Sequence, residues 1–370
     1  MKNAANLSFD DRESPPSVRE DTDRNATRSG MNRSKSRLTE PLLACFDSAE
    51  APTRDDHATI VSLFAGCGGM DLGFSGGFEF MNEVYERHPF RILQAYDNDE
   101  KAILTYKQNI SDNASVMDLA EFDPASMPPA TVLIGGFPCQ DFASCGLRQG
   151  LRSTRGRLYL ALVAYAMTHS PMVIVGENVP GLATMHQGAT LGKIVEDIAA
   201  VGYRTEVWDL SAPDYGVPQN RKRLFIVGVR EDLSGFPERP TPTHAAAYRS
   251  IRWAIEDLET VTDDAVPNQS QFFRATRAKR GNGQGDEVSH ADRPAYTVRA
   301  NAKSRVQFHY HLERRLTVRE CARLQTFPDS FSFPHSATTN VMQIGNAVPP
   351  VLAHHVARQI SSWIGEQTNI

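Results

Sequence analysis

Five short runs of β-branched and aliphatic residues, Thr59–Phe64, Ile92–Tyr96, Thr131–Ile134, Met172–Val175 and Leu224–Val229, recur along the chain with longer stretches between them. Glu100–Gln108, Leu158–Thr168 and Leu191–Val201 carry helical character in those intervals. Strand-length apolar runs alternating with helices specify βαβ units, because parallel strands need a crossover that packs a helix back onto the sheet. The expected fold class is α/β, with a mostly parallel, Rossmann-like sheet covered on both faces. Ligands of such sheets bind beyond the carboxyl ends of the strands. That is where this sequence places its chemistry.

The first run is followed by Ala65-Gly66-Cys67-Gly68-Gly69-Met70-Asp71. Glycines there permit a sharp strand-to-helix turn and close backbone approach to a ligand. The absence of Gly-Lys-Ser/Thr excludes a triphosphate P-loop. Asp97 ends the second run and is placed to accept from ribose hydroxyls; Asp118, after a later short run, is placed to accept from an adenine amino group. The third run leads into Gly135-Gly136-Phe137-Pro138-Cys139-Gln140. A thiolate at a strand end is suited to add to an electron-poor ring carbon, with Cys145 as the alternative thiol. The fourth run leads into Gly176-Glu177-Asn178, a carboxyl that partial desolvation can keep protonated for donation. Gln219-Asn220-Arg221-Lys222-Arg223 precedes the last run; alternate arginines on extended backbone point the same way, two guanidiniums for phosphates or a substrate carbonyl.

Residues 1–57, rich in Ser, Asp, Arg, Asn and Pro, read as a disordered tail. Residues 58–230 form the expected catalytic and cofactor-binding domain. From 231 to 315 the alternation fails, and a small, mostly β or irregular domain is expected, with short strands at Ala295–Arg299 and Arg305–Tyr310. Helical pattern resumes in 316–370, at Val318–Gln325 and Val351–Ile364. The net charge of -5 does not advertise a polyanion partner, yet residues 270–320 hold eleven Lys/Arg against five acids, a local +6. Such a segment can meet a phosphate backbone. Five cysteines without a CxxC pair argue against a cysteine zinc module or a disulfide framework. No metal is expected, and a reducing cytoplasm fits. The apolar runs fall short of the roughly 20 residues that cross a bilayer, and the N-terminus lacks a signal-peptide core.

Taken in order, these stretches resemble the DNA cytosine-5 methyltransferases over residues 59–364. Leu63-Phe64-Ala65-Gly66-Cys67-Gly68-Gly69 is similar to the family's cofactor loop and Gly136-Phe137-Pro138-Cys139-Gln140 to its nucleophile motif. Glu177-Asn178-Val179 resembles the carboxylate motif, Gln219–Arg223 the Gln-x-Arg-x-Arg motif, Leu316–Gln325 a late helix, and Gln343-Ile344-Gly345-Asn346-Ala347-Val348-Pro349-Pro350 the final motif.

The resemblance implies a methyltransferase fold that binds S-adenosyl-L-methionine through Phe64, Ala65, Gly66, Gly68, Gly69, Asp97, Asn98, Asp118, Pro138 and Asn346. It implies that a cytosine is flipped from the duplex, that Cys139 adds to C6, that Glu177 engages N3, and that Arg223 with Arg221 holds the base carbonyl. Gln140, Arg155, Arg274, Arg277, Lys279, Arg280 and Arg299 would meet DNA, and 141–157 would form a closing loop. Asp97 stands where glutamate is more usual, Asn98 where a bulky apolar residue is, and Ala143 where serine is common. The implied partner is double-stranded DNA carrying a short site. A restriction endonuclease encoded nearby would accompany a monomeric enzyme without touching it. A transfer-RNA cytosine methyltransferase on the same scaffold and a non-catalytic DNA-binding regulator are the rival readings; intact Cys139, Glu177 and Arg223 speak against the second.

Overall fold

The computed structural model describes residues 57–138, 158–272, 286–300 and 307–368. Seven strands among them form one sheet: β1 (Ala58–Leu63), β4 (Phe90–Asp97), β5 (Ala114–Val116), β6 (Val132–Gly136), β7 (Val173–Asn178), β8 (Tyr203–Ser211) and β9 (Lys222–Arg230). A hairpin of β2 (Phe78–Phe80) and β3 (Glu83–Tyr85) and a pair of two-residue strands, β10 (Glu287–Val288) and β11 (Gln307–Phe308), lie outside it. The principal helices are α1 (Gly69–Ser75), α2 (Glu100–Asn109), α3 (Leu160–His169), α4 (Ala189–Ala199), α5 (Ile251–Ile255), α6 (Val318–Leu324), α7 (Ala337–Asn346) and α8 (Pro350–Thr368).

The strand order is β5-β4-β1-β6-β7-β9-β8. The first five run parallel, while β9 is antiparallel to both β7 and β8. Period-2 alternation splits the apolar runs between two cores. Ile60, Val132, Ile134, Val173 and Val175 face a cluster that includes Val351, Val356 and Ile360 of α8. Val61, Leu63, Leu133 and Ile174 face Leu162 and Tyr165 of α3 and Ile194 and Ile198 of α4. Each buried aliphatic side chain contributes about 1.5–3 kcal/mol, so both faces of the sheet must be covered.

Strand β8 escaped the apolar-run reading for a physical reason. It is an edge strand, Tyr-Arg-Thr-Glu-Val-Trp-Asp-Leu-Ser, burying Tyr203, Trp208 and Leu210 while its charged side chains stay in water. The short helices α5 and α7 also lie in stretches that lack an obvious period.

The C-terminal chain returns to the start of the sheet through α8, which crosses α1 at Gly73. A Cβ there would lie 2.4 Å from Ala353 Cβ and 2.5 Å from the Pro350 carbonyl, so the helices touch backbone to backbone. Helix α6 opens with a reciprocal capping box between Thr317 and Glu320. Its polar face is buried against backbone: Arg319 donates to the carbonyls of Pro267, Pro328 and Phe331 at 2.6–2.9 Å. Arg323 pairs with Asp329 at 2.6 Å and Asp257 at 2.5 Å. No helix among the described residues is long and apolar enough to cross a membrane.

Candidate active site

The register brings four strand ends to one line. Leu63 pairs with Tyr96 on one side and Gly135 on the other, and Gly136 pairs with Glu177. Because β9 runs antiparallel to β7, its first residues, not its last, arrive here: Asn178 pairs with Leu224, one residue from Arg223. An arginine at the start of a strand therefore joins residues at the ends of four others.

The turn after β1 needs left-handed backbone at Phe64 (φ 56°), Gly66 (φ 57°) and Gly68 (φ 91°). The two glycines serve different ends. A Cβ on Gly68 would collide with Ile110 at 2.1 Å and Tyr106 at 2.8 Å, whereas one on Gly66 would meet no atom of the described residues within 4 Å. Gly68 is a packing requirement; Gly66 is not, among the described residues. Gly69 is buried against the C-terminal segment, its notional Cβ 2.4 Å from the Val348 carbonyl. Asp97 grips this turn, accepting from Gly66 N at 2.8 Å and Asp99 N at 2.9 Å. Burial raises its carboxyl above the ordinary range. Asn98, Asp118, Pro138 and Asn346 are exposed, and Phe64 and Ala65 half-buried. Asp118 caps its own turn by accepting from Ala120 N at 2.9 Å.

Beneath the turn, Asp71 is fully buried, accepting from Ser62 Oγ and Tyr106 OH, each at 3.1 Å. Desolvation pushes its carboxyl up to about 6 from 3.8. Below pH 3.8 it is protonated whether folded or unfolded; up to pH 6 only the folded chain keeps the proton. Stability therefore falls as pH rises through this window, by about 3 kcal/mol in all. Asp71→Asn is expected to be more stable than the parent by about 1–3 kcal/mol at pH 8 and to lose that advantage by pH 4. Urea unfolding at the two pH values checks this; an equal difference at both would contradict the assignment.

On the other side of β6, Glu177 is buried, and Arg223 Nε lies 2.7 Å from its Oε1. Its Oε2 lies toward β6, 3.2 Å from where a Gly136 Cβ would sit. Desolvation raises the Glu177 carboxyl, and the guanidiniums of Arg223 and Arg221 offset only part of that. Asn178 Nδ2 donates to the Phe137 carbonyl at 2.9 Å, fixing the backbone just before Pro138 and Cys139. The sequence offered no separate signal for that contact beyond the residue's place beside Glu177.

Arg221 departs from the expectation that it shares a task with Arg223. It is 1% exposed and donates to Val298 O at 3.1 Å and to Gly345 O and Ala347 O, both at 2.9 Å. Gln219 does the same kind of work, donating to Leu324 O at 2.9 Å and accepting from Val298 N at 2.8 Å. Gln219 and Arg221 thus bind the C-terminal chain and the 295–298 stretch to the sheet. Arg223 alone reaches the carboxylate. Alternation sent 221 and 223 to one side, but their guanidiniums part because backbone carbonyls surround the first.

Of the cysteines, Cys67 and Cys321 are buried free thiols, and burial pushes both up to about 12. Neither is a nucleophile near neutrality. Cys139, Cys145, Gln140, Arg155 and the 141–157 loop lie outside the described residues, as do Arg274, Arg277, Lys279, Arg280 and the tail through residue 56. Arg299 is exposed, 4.0 Å from Glu287. It follows Val298, whose backbone both Gln219 and Arg221 hold.

The family profile described as C-5 cytosine-specific DNA methylase matches residues 58–362. The Type II methyltransferase M.BsuRI of Bacillus subtilis is 32% identical over 354 residues, covering 84% of this chain and 80% of that protein. M.NgoFVII of Neisseria gonorrhoeae is 33% identical over 334 residues, covering 81% and 86%. Among solved structures, the S. pombe Dnmt2 methyltransferase matches with a TM-score of 0.62 at 18% identity, covering 84% of this chain and 99% of that one. A putative DNA modification methyltransferase encoded within an E. coli prophage matches with 0.63 at 18%, covering 83% and 99%.

Proposed function

Since the chain belongs to the C-5 cytosine-specific DNA methylases, we propose that Cys139 is its nucleophile, Glu177 its proton donor and Arg223 the residue that aims Glu177. The enzyme methylates C5 of cytosine in DNA and uses S-adenosylmethionine. When bound, that cofactor supplies the electrophilic methyl group that ends on C5. The residues present suit it: no described residue crowds Gly66 at the end of β1, and Asn98, Asp118 and Asn346 are exposed polar side chains suited to an adenosyl group and an amino-acid group. Asp97 holds the loop that would carry them.

The observation that carries the reading is the Glu177–Arg223 pair at 2.7 Å, buried beside the turn that leads into Pro138-Cys139. Arg223 spends Nε on Glu177 and Nη1 on the Lys222 carbonyl at 2.7 Å; among the described residues Nη2 has no further partner, and it would serve the carbonyl of a flipped cytosine. Burial raises the Glu177 carboxyl, which favours its protonated form for donation to N3 as the Cys139 sulfur bonds to C6. Water then takes the C5 proton, the freed electron pair expels sulfur from C6, and N3 returns its proton to Glu177, restoring the thiolate and giving 5-methylcytosine. Glu177→Gln is expected to lower kcat about 10²–10⁴-fold, the usual worth of general acid catalysis, with a much smaller change in affinity for duplex DNA. An unchanged kcat would remove Glu177 from the reaction.

We further propose a short target site read by residues 231–315, with Arg299 and the 270–320 arginines on DNA. The chain would act as a cytoplasmic monomer beside a separately folded endonuclease. Local charge of +6 in that segment supports the DNA contact. Bisulfite sequencing of DNA from cells expressing the chain reads out activity and site together.

A further inference from the structure

Behind α6, Glu259, His309 and His311 bring one carboxylate and two imidazoles together, with the ligand atoms all within 4.8 Å of one another. We infer that this cluster binds a divalent transition-metal ion of the zinc type, which clips the chain after α5 to the hairpin after β11. The inference is independent of the catalytic reading above.

The placement follows from the backbone. His309 and His311 are two apart on a hairpin closed by His309 N donating to Arg314 O at 3.1 Å. Glu259 caps the turn that extends α5. His311 Nε2 lies 3.2 Å from Glu259 Oε2, and His309 Nε2 lies 3.8 Å from Glu259 Oε1. Zinc with bonds of about 2.0–2.1 Å in a tetrahedron holds its ligand atoms about 3.3 Å apart. The two His–Glu separations, one to each carboxylate oxygen, straddle that span, and all three ligand atoms lie within 4.8 Å. Two imidazoles with one carboxylate suit zinc and its neighbours, and are a poor set for magnesium or calcium, which favour oxygen alone.

A second observation points to a ligand. The His309 side chain is wholly buried, yet its Nε2 has no hydrogen-bond partner among the described residues. Buried polar nitrogens are seldom left so, because the desolvation cost goes uncompensated. This one faces Glu259, with Glu320 Oε1 4.0 Å away. Outer contacts are already in place: Tyr310 OH donates to Glu259 Oε1, and Arg314 grips both Glu320 oxygens at 2.7 and 2.8 Å. Such contacts orient ligands and tune their basicity.

Capture has a defined structural consequence. His309 Nδ1 accepts from the amides of His311 at 3.3 Å and Leu312 at 3.2 Å, which leaves the ring proton on Nε2 in the metal-free chain. Coordination through Nε2 moves that proton to Nδ1. The two long amide bonds are given up, and the 310–312 turn shifts as the ion seats. The ion costs the site those bonds, so binding is weaker than in an all-cysteine zinc module.

The test uses the full chain, stripped with a chelator and titrated with ZnCl₂ against a chromophoric competitor, with thermal unfolding recorded alongside. His311 is half exposed, with 51% of its side chain in water, so His311→Gln is expected to fold as the parent does. The expected result is one fewer zinc per chain in His311→Gln, and loss of the zinc-dependent rise in midpoint. Tyr310→Phe is expected to bind that zinc at least about tenfold more weakly. Zinc held by thiols elsewhere is common to all three proteins and cancels. Equal stoichiometry and equal midpoint shifts in parent and His311→Gln, or no zinc on the parent, would overturn the site. Neither result bears on methyl transfer.

Discussion

Cys139→Ser protein is expected to transfer methyl groups to duplex DNA at least about 10⁴-fold more slowly in kcat/KM, a loss of about 5.5 kcal/mol of transition-state stabilisation. The addition needs an anion at sulfur, and an ordinary thiol ionises near pH 8.5. A serine hydroxyl has no comparable anion near neutrality without a strong adjacent base. The carboxyl at hand, Glu177, is buried, raised and held by Arg223, which suits it to give a proton rather than take one. No other described thiol can stand in, since Cys67 and Cys321 are sealed in the core with pKa values pushed up to about 12. Cofactor binding should survive, because the Gly66 turn is held by Asp97 from the neighbouring strand. Labelled S-adenosylmethionine gives the rate, equilibrium dialysis the binding, and 5-fluorocytosine DNA the covalent complex. Full activity in Cys139→Ser together with its loss in Cys145→Ser would transfer the role to the second thiol.

Arg221→Ala is expected to fail in a different way, by unfolding rather than by losing chemistry. Its guanidinium is the common donor to Val298, Gly345 and Ala347, three carbonyls from two distant parts of the chain. Removal leaves those carbonyls buried and opens a cavity, at a cost of about 3–5 kcal/mol. That is a large share of the 5–15 kcal/mol that holds a domain together. Arg223→Ala makes the contrast. It strips the partner from Glu177, but a carboxyl already raised by burial can take up a proton instead of staying charged. Its unfolding midpoint should move much less than that of Arg221→Ala, while its kcat falls. Urea denaturation and single-turnover methylation on both variants separate the two roles. If Arg221→Ala were as stable as the parent but inactive, Arg221 would return to the catalytic set.

That pair of arginines marks the line between what could be read in advance and what could not. Strand identity, order of function-bearing turns and the meeting of Gly66, Asp97 and Glu177 at one edge all follow from local patterns. Apolar runs specify buried parallel strands, and the residues just past each run must then line the same edge. Strand β8 and the Glu259–His309–His311 cluster were illegible for the opposite reason. An edge strand half in water carries no continuous apolar run, and a cluster of side chains about 50 residues apart leaves no spacing signature in sequence.

The sequence by itself determined that this chain builds a doubly covered sheet whose rim carries a glycine turn, an acid and a carboxylate, because period and turn chemistry are local properties. Only the tertiary structure decided that β9 enters antiparallel, that Arg223 rather than Arg221 faces Glu177, and that Gly68 serves packing while no described residue packs on Gly66. Those outcomes depend on which backbone carbonyls and side chains arrive from distant parts of the chain, Tyr106 and Ile110 at Gly68 and Val298 and Gly345 at Arg221, and the alternation of side chains along one strand contains nothing about them.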